Sequence, residues 1–211
     1  VKMDWIDSLS FTEYLDSIIK NPSAITELQE KLIALSAHLE ECGVAHGNLN
    51  LKHIRFVKKG QETVLKLIDY DSMFVPAFRG KDSLSPGTAG FQHPMRLASD
   101  FSETIDRFSF WIFITALEAF KIDPFLWINA EQRGYDKNEH VLFMYRDLAY
   151  PEKSAVFQVL RNYRNENLNF YLDKLIAFCN SNSLNSIDAP QLYKQKRGDS
   201  KTLPIGVSSN K

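Results

Sequence analysis

Cysteine is nearly absent from this sequence: 211 residues hold two, Cys42 and Cys179. That excludes a disulfide-stapled scaffold and any cysteine-based metal spacing, and it suits a reducing compartment, so a cytoplasmic protein is expected. A surplus of either charge is also absent. Lys and Arg number 25 against 26 Asp and Glu, for a net charge of −1, which speaks against a broad basic surface for nucleic acid. The longest apolar run, "FSFWIFITALEAF" at 108–120, is interrupted by Glu118 and is too short to cross a bilayer. Neither nucleic acid nor a membrane is expected as a partner. The histidines show no His-x-x-x-His spacing, and there is no Gly-x-Ser-x-Gly nucleophile motif. "GTAG" at 87–90 falls short of a glycine-rich phosphate loop.

What is present is enough apolar material for one well-cored domain: 44% hydrophobic and 12% aromatic residues. "VKMDWID" at 1–7 reads as a strand already in progress, so a fragment of a longer protein is expected. "SFTEYLDSIIK" at 10–20 opens on a capping box, Ser10 with Glu13, and continues as an amphipathic helix. A second helix follows Asn21-Pro22, with Ile25, Leu28, Leu32, Leu35 and Leu39 at three- and four-residue steps, and ends at Gly43. Beyond a polar loop at 44–53, "IRFV" (54–57) and "TVLKLID" (63–69) flank a Gly60 turn as a small hairpin. Residues 70–105 are punctuated by glycine and proline without periodicity, and so long an irregular stretch is usually functional. A helix at 106–120, apolar on nearly every side, must be buried centrally. Shorter helices are predicted at 137–146, 154–164 and 167–180. Aromatics in "DPFLWINAEQRGY" (123–135) are open to two uses, core packing or docking. The last stretch, 191–211, carries Lys194, Lys196, Arg197, Lys201 and Lys211 against Asp199 alone, as a solvated basic tail or linker would.

Taken in order, "HGNLNLKH" (46–53), "LIDYD" (67–71), "GTAGFQHP" (87–94) and "DRFSFW" (106–111) resemble the motifs of a protein kinase C-terminal lobe. They match in turn the His-Arg-Asp catalytic loop, the Asp-Phe-Gly segment, the end of the activation segment and the start of the central helix. "VKMDWID" is similar to the hinge strand that passes the adenine, and the wording is closest to prokaryotic Ser/Thr kinase-like proteins. The resemblance implies a mainly α fold: a C-lobe-like helical domain over 10–190, with a small β-hairpin carrying the catalytic-loop equivalent. Residues 1–9 would then be the hinge-like strand and connection from an N-lobe upstream, itself the first partner. The implied cofactors are ATP and Mg²⁺, with Asp4 and Ile6 on the hinge, Arg55 beneath the adenine and Asp69 toward the metal.

Phosphoryl transfer needs a carboxylate to accept the substrate proton, positive charge on the phosphate and oxygen ligands for Mg²⁺. Asn48 stands at the catalytic carboxylate's position and its amide is not a base. Asn50 replaces the phosphate-steadying lysine, and His53 replaces the metal-binding asparagine, although Mg²⁺ prefers oxygen. Arg55 takes the place of an apolar adenine floor; it could stack on a base or fill the pocket. Asp69 keeps the metal-binding carboxylate, either for Mg²⁺ or only for a tight turn. His46 and Tyr70 match a spine of stacked residues, and Asp106 matches the buried carboxylate that holds the loop's backbone. Asp71 and Trp111 replace usual glycines, and Met95 replaces a glutamate that anchors the activation segment. Three functions stay open: a catalytically impaired pseudokinase that regulates or binds a protein; an active atypical kinase or nucleotidyl transferase using Asp69; and a nucleotide-free helical scaffold.

Overall fold

The structure, a computed structural model, describes residues 7–60 and 62–193. The expected strand at 1–7 with Asp4 and Ile6, and the basic tail from Lys194 on, lie almost wholly or wholly outside the described residues. A short strand β1 (Leu9–Ser10) runs into helix α1 (Phe11–Ile18). The capping box forms as read: Ser10 N–H donates to Glu13 Oε2 at 2.7 Å, and Glu13 N–H donates to Ser10 Oγ at 3.2 Å. Two amides that the first turn would leave unpaired are thereby satisfied. Helix α2 (Pro22–Glu41) starts where Asn21 Oδ1 accepts the Ser23 and Ala24 amides. It buries Ile25, Leu28 and Leu32 completely, while Leu35 and Leu39 pack at the rim.

Strands β2 (Ile54–Lys59) and β3 (Glu62–Leu67) pair antiparallel, Ile54 opposite Leu67 and Lys59 opposite Glu62. β1 joins them with Leu9 opposite Phe56, so the expected hairpin is part of a three-stranded sheet in the order β1-β2-β3. Alternation sends Ile54, Phe56 and Leu67 into the core and Arg55 to the other face. From residue 70 to 106 the chain makes turns, two single 3₁₀ turns and one isolated bridge at Phe74, as the punctuation of the sequence requires.

Helix α3 (Arg107–Ile122) is the axis of the domain. Every residue from Phe108 to Phe120 is buried, with Phe113 against Phe11 at 5.1 Å and Trp111 against Phe178 at 5.4 Å. Glu118 is tolerated there because its carboxylate takes Lys121 Nζ at 2.6 Å and Gln29 Nε2 at 3.2 Å. Helices α4 (Phe125–Ile128), α5 (Tyr145–Ala149), α6 (Ala155–Arg161) and α7 (Glu166–Cys179) complete the fold. One expected helix is absent. Residues 137–144 are turns and coil, and α5 begins only at Tyr145. The reason is local. Asp136 Oδ1 accepts the Asn138 amide at 2.8 Å, closing a turn, and Val141, Leu142 and Phe143 are all buried in succession, which one helical face cannot achieve. Within 123–135, Trp127 is core while Phe125 is exposed. Both cysteines are free thiols.

His93 joins the irregular segment to α7. Its Nε2–H donates to the Phe178 carbonyl at 2.8 Å, and its Nδ1 accepts the Met95 amide at 3.1 Å. Burial pushes its pKa below the ordinary 6.5. The unfolded chain therefore takes up this proton first, so the stability His93 contributes is complete above pH 6.5 and is lost as pH falls through the folded value. Denaturation midpoints should drop on the acid side, and less steeply in His93→Gln, whose amide can still donate to Phe178. Equal acid slopes in the two proteins would contradict this assignment.

Candidate functional site

The loop at 44–53 is fixed from two sides before its polar residues begin. Ala45 and Phe74 exchange both backbone hydrogen bonds, at 3.1 and 2.9 Å, tying the loop to the segment beyond β3. Asp106, just ahead of α3, accepts the His46 amide at 2.5 Å and the Gly47 amide at 3.0 Å. Its carboxyl is fully buried, and burial pushes its pKa up against the opposing pull of His46, the two amides and Arg96. Gly47 sits at φ +78, and a Cβ there would lie 2.0 Å from the Ser72 carbonyl oxygen, so only glycine fits this crossing.

His46 is a structural residue: its ring contacts Ile68 O through Nε2 at 2.8 Å and stacks on His53 at 5.2 Å. Tyr70 meets His46 at 6.0 Å, but its ring is 55% exposed and its hydroxyl donates to Leu67 O at 2.6 Å. Asn48 Oδ1 accepts two bonds from Thr88, the amide at 2.7 Å and the hydroxyl at 2.9 Å. Asn50 Nδ2 donates to Thr88 Oγ1 and to Asn48 O, each at 3.0 Å, while Asn50 Oδ1 caps the 3₁₀ turn at Lys52 N. Both amides thus grip one threonine, 40 residues from Asn48 and 38 from Asn50 in the chain.

His53 faces an oxygen at each ring nitrogen, Asn48 O at 2.8 Å and Asp69 Oδ2 at 3.0 Å. Asp69 adopts the left-handed conformation, φ +64, and its side chain turns to His53 and not to the turn's own amides. The donors here are one imidazole and one carboxylate already engaged with each other. Among the described residues no group of three His, Cys, Asp or Glu side chains is placed to hold a metal ion. That set fits Mg²⁺, which calls for several oxygen ligands, poorly. Arg55 is anchored by Ser8, Nε to Oγ at 3.1 Å and Nη2 to the carbonyl at 3.0 Å. Asp71 is exposed, and so is Met95, which anchors nothing.

Two residues of this site were missed in the sequence. Thr88 is one. The other is Arg96, whose Nη1 donates to Gly47 O at 2.8 Å and to Gln92 Oε1, and whose Nη2 reaches Ser85 O at 3.3 Å. Burial pulls its pKa down, while Asp106 and Asp100 favour its charge. The one available signal was that Arg96 is the sole Lys, Arg, Asp or Glu between Asp82 and Asp100. Through it the segment at 83–96 is fastened onto the loop at 44–53.

No protein family and no curated protein matches the sequence. Among solved structures, the chain is similar to the Rad53 kinase domain solved with SCD2, with a TM-score of 0.52 and 11% identity. The match covers 89% of this chain and 61% of that one. At that identity the likeness speaks for architecture. Helical around one buried axis, with a small antiparallel sheet and a long irregular segment, the chain has a protein kinase-like fold.

Proposed function

We propose that this chain is a pseudokinase: a kinase-like module, impaired in phosphoryl transfer, that acts by regulating or binding other proteins. Asn48 carries the reading. In a kinase-like frame the loop at 44–53 takes the catalytic-loop role, and Asn48 stands where a carboxylate would accept the substrate hydroxyl's proton. A neutral amide cannot take that proton, and its oxygen is held by both donors of Thr88. The neighbouring positions agree. Asn50 brings no positive charge to a phosphate, and His53 is bonded to Asp69, the remaining carboxylate. Losing groups that act as a unit costs orders of magnitude in rate, not a simple sum.

Arg55, tied to Ser8 on the sheet's outer face, leaves ATP binding as a separate proposal. A nucleotide held there would serve as an allosteric ligand and not as a phosphate donor. The test is transfer from γ-labelled ATP, with Mg²⁺ or Mn²⁺, by the full chain to itself and to a generic protein substrate. No incorporation above a protein-free blank is expected. Incorporation that vanishes in Asp69→Asn would overturn the proposal in favour of an active atypical transferase.

A further inference from the structure

Between residues 78 and 97 the irregular segment exposes large apolar side chains, Phe78, Leu84, Met95 and Leu97. Leu84 is wholly exposed, and it stands at the shared rim of two hollows. The larger, of about 270 Å³, is walled by Met73, Phe78 and Phe101, with the Phe78 and Phe101 rings stacked at 6.4 Å. The leucine leaves it open, because the backbone on either side is pinned. Ser83 N–H donates to the Ala98 carbonyl at 2.8 Å, Ser83 Oγ donates to Ser85 O at 2.8 Å, and Arg96 Nη2 reaches Ser85 O at 3.3 Å. The charges around this hollow are of both signs. Asp71, Lys81 and Asp82 line it, and none of them belongs to an ion pair among the described residues. Lys81 Nζ lies 5.5 Å from the centre of the Phe78 ring, over the aromatic wall.

We propose that this face docks a second copy of the chain across a two-fold axis beside Leu84, each leucine entering the larger hollow of the other copy. An isologous contact requires one patch to complement itself, and a knob and a hole that share a rim are exchanged by such an axis without rearrangement. The charges meet the same requirement. Lys81 of one copy meets Asp82 of the other, and the reverse, whereas a partner of a single sign would find both signs opposite it. The volume falls just under the roughly 300–1,000 Å³ range of ligand pockets, which suits one side chain. Because its backbone is already fixed, Leu84 loses little conformational freedom on docking. Phe78, Met95 and Leu97 add apolar area around it, in an interface of the small, transient class. Self-association goes beyond the proposed function, and it is independent of the chemistry of the loop at 44–53.

Sedimentation velocity of the full chain over a rising concentration series is the test. The mass should climb toward that of a dimer. Leu84→Ser should weaken the dimer roughly a hundredfold, because two leucine side chains per dimer lose their burial. The melting temperature of the dilute monomer should be unchanged by that substitution. Lys81→Asp should weaken the dimer roughly tenfold, and Lys81→Asp/Asp82→Lys, which restores opposite charges across the axis, should recover most of the loss. A chain that stays monomeric at every concentration, a dimer equally strong in Leu84→Ser, or a doubly exchanged variant no better than Lys81→Asp would overturn the inference. None of these outcomes bears on phosphoryl transfer, so the two proposals fail separately.

Discussion

Replacing Trp111 with alanine is expected to lower the stability of the fold by about 3–5 kcal/mol. The indole is fully buried in the second turn of α3, 5.4 Å from Phe178 and 6.2 Å from Tyr171. Its Nε1–H donates to the Asp188 carbonyl at 2.8 Å, which holds the segment after α7 against the axis. Alanine would leave a cavity between α3 and α7 and an unanswered carbonyl. Urea unfolding followed by far-ultraviolet circular dichroism measures the loss, with Trp111→Phe as a milder comparison. A loss below about 1 kcal/mol would mean that the α3–α7 interface does not rest on this ring.

A loss of similar size, about 3–5 kcal/mol, is expected for Asp106→Ala. The substitution strips two buried amides, His46 and Gly47, of their acceptor and removes the carboxylate whose field supports buried Arg96. The damage should also be local. Hydrogen exchange at His46 and Gly47 should accelerate far more than exchange in α3, because the loop at 44–53 loses one of its two anchors while the helix keeps its packing. Unchanged exchange at those amides would show that the bridge to Phe74 alone sets the loop.

Periodicity made the helical frame legible. Ser10 with Glu13 announced α1, the leucines of α2 announced its buried face, and the unbroken apolar run at 108–120 announced the axis. The helix expected at 137–146 failed because three consecutive apolar residues satisfy a helical count without lying on one side of a helix. β1 was missed for its length, two residues paired to a strand 46 or so positions on. At the site, the order of motifs led to Asn48, Asn50, His53 and Asp69. It could not show that Thr88 joins the two amides, that His53 meets Asp69, or that Arg96 fastens the irregular segment. Those contacts bring together residues far apart in an aperiodic stretch, where no local signal marks a partner.

On the proposed reading, the loop at 44–53 keeps the shape of a catalytic loop without its chemistry. Phosphate incorporation from γ-labelled ATP, compared across the wild type, Asp69→Asn and Asn48→Asp, tests it most directly. The wild type should match Asp69→Asn and the protein-free blank, and Asn48→Asp alone should recover nothing, since Asn50 and His53 still withhold charge and metal ligation. Incorporation by the wild type that Asp69→Asn abolishes would contradict the account.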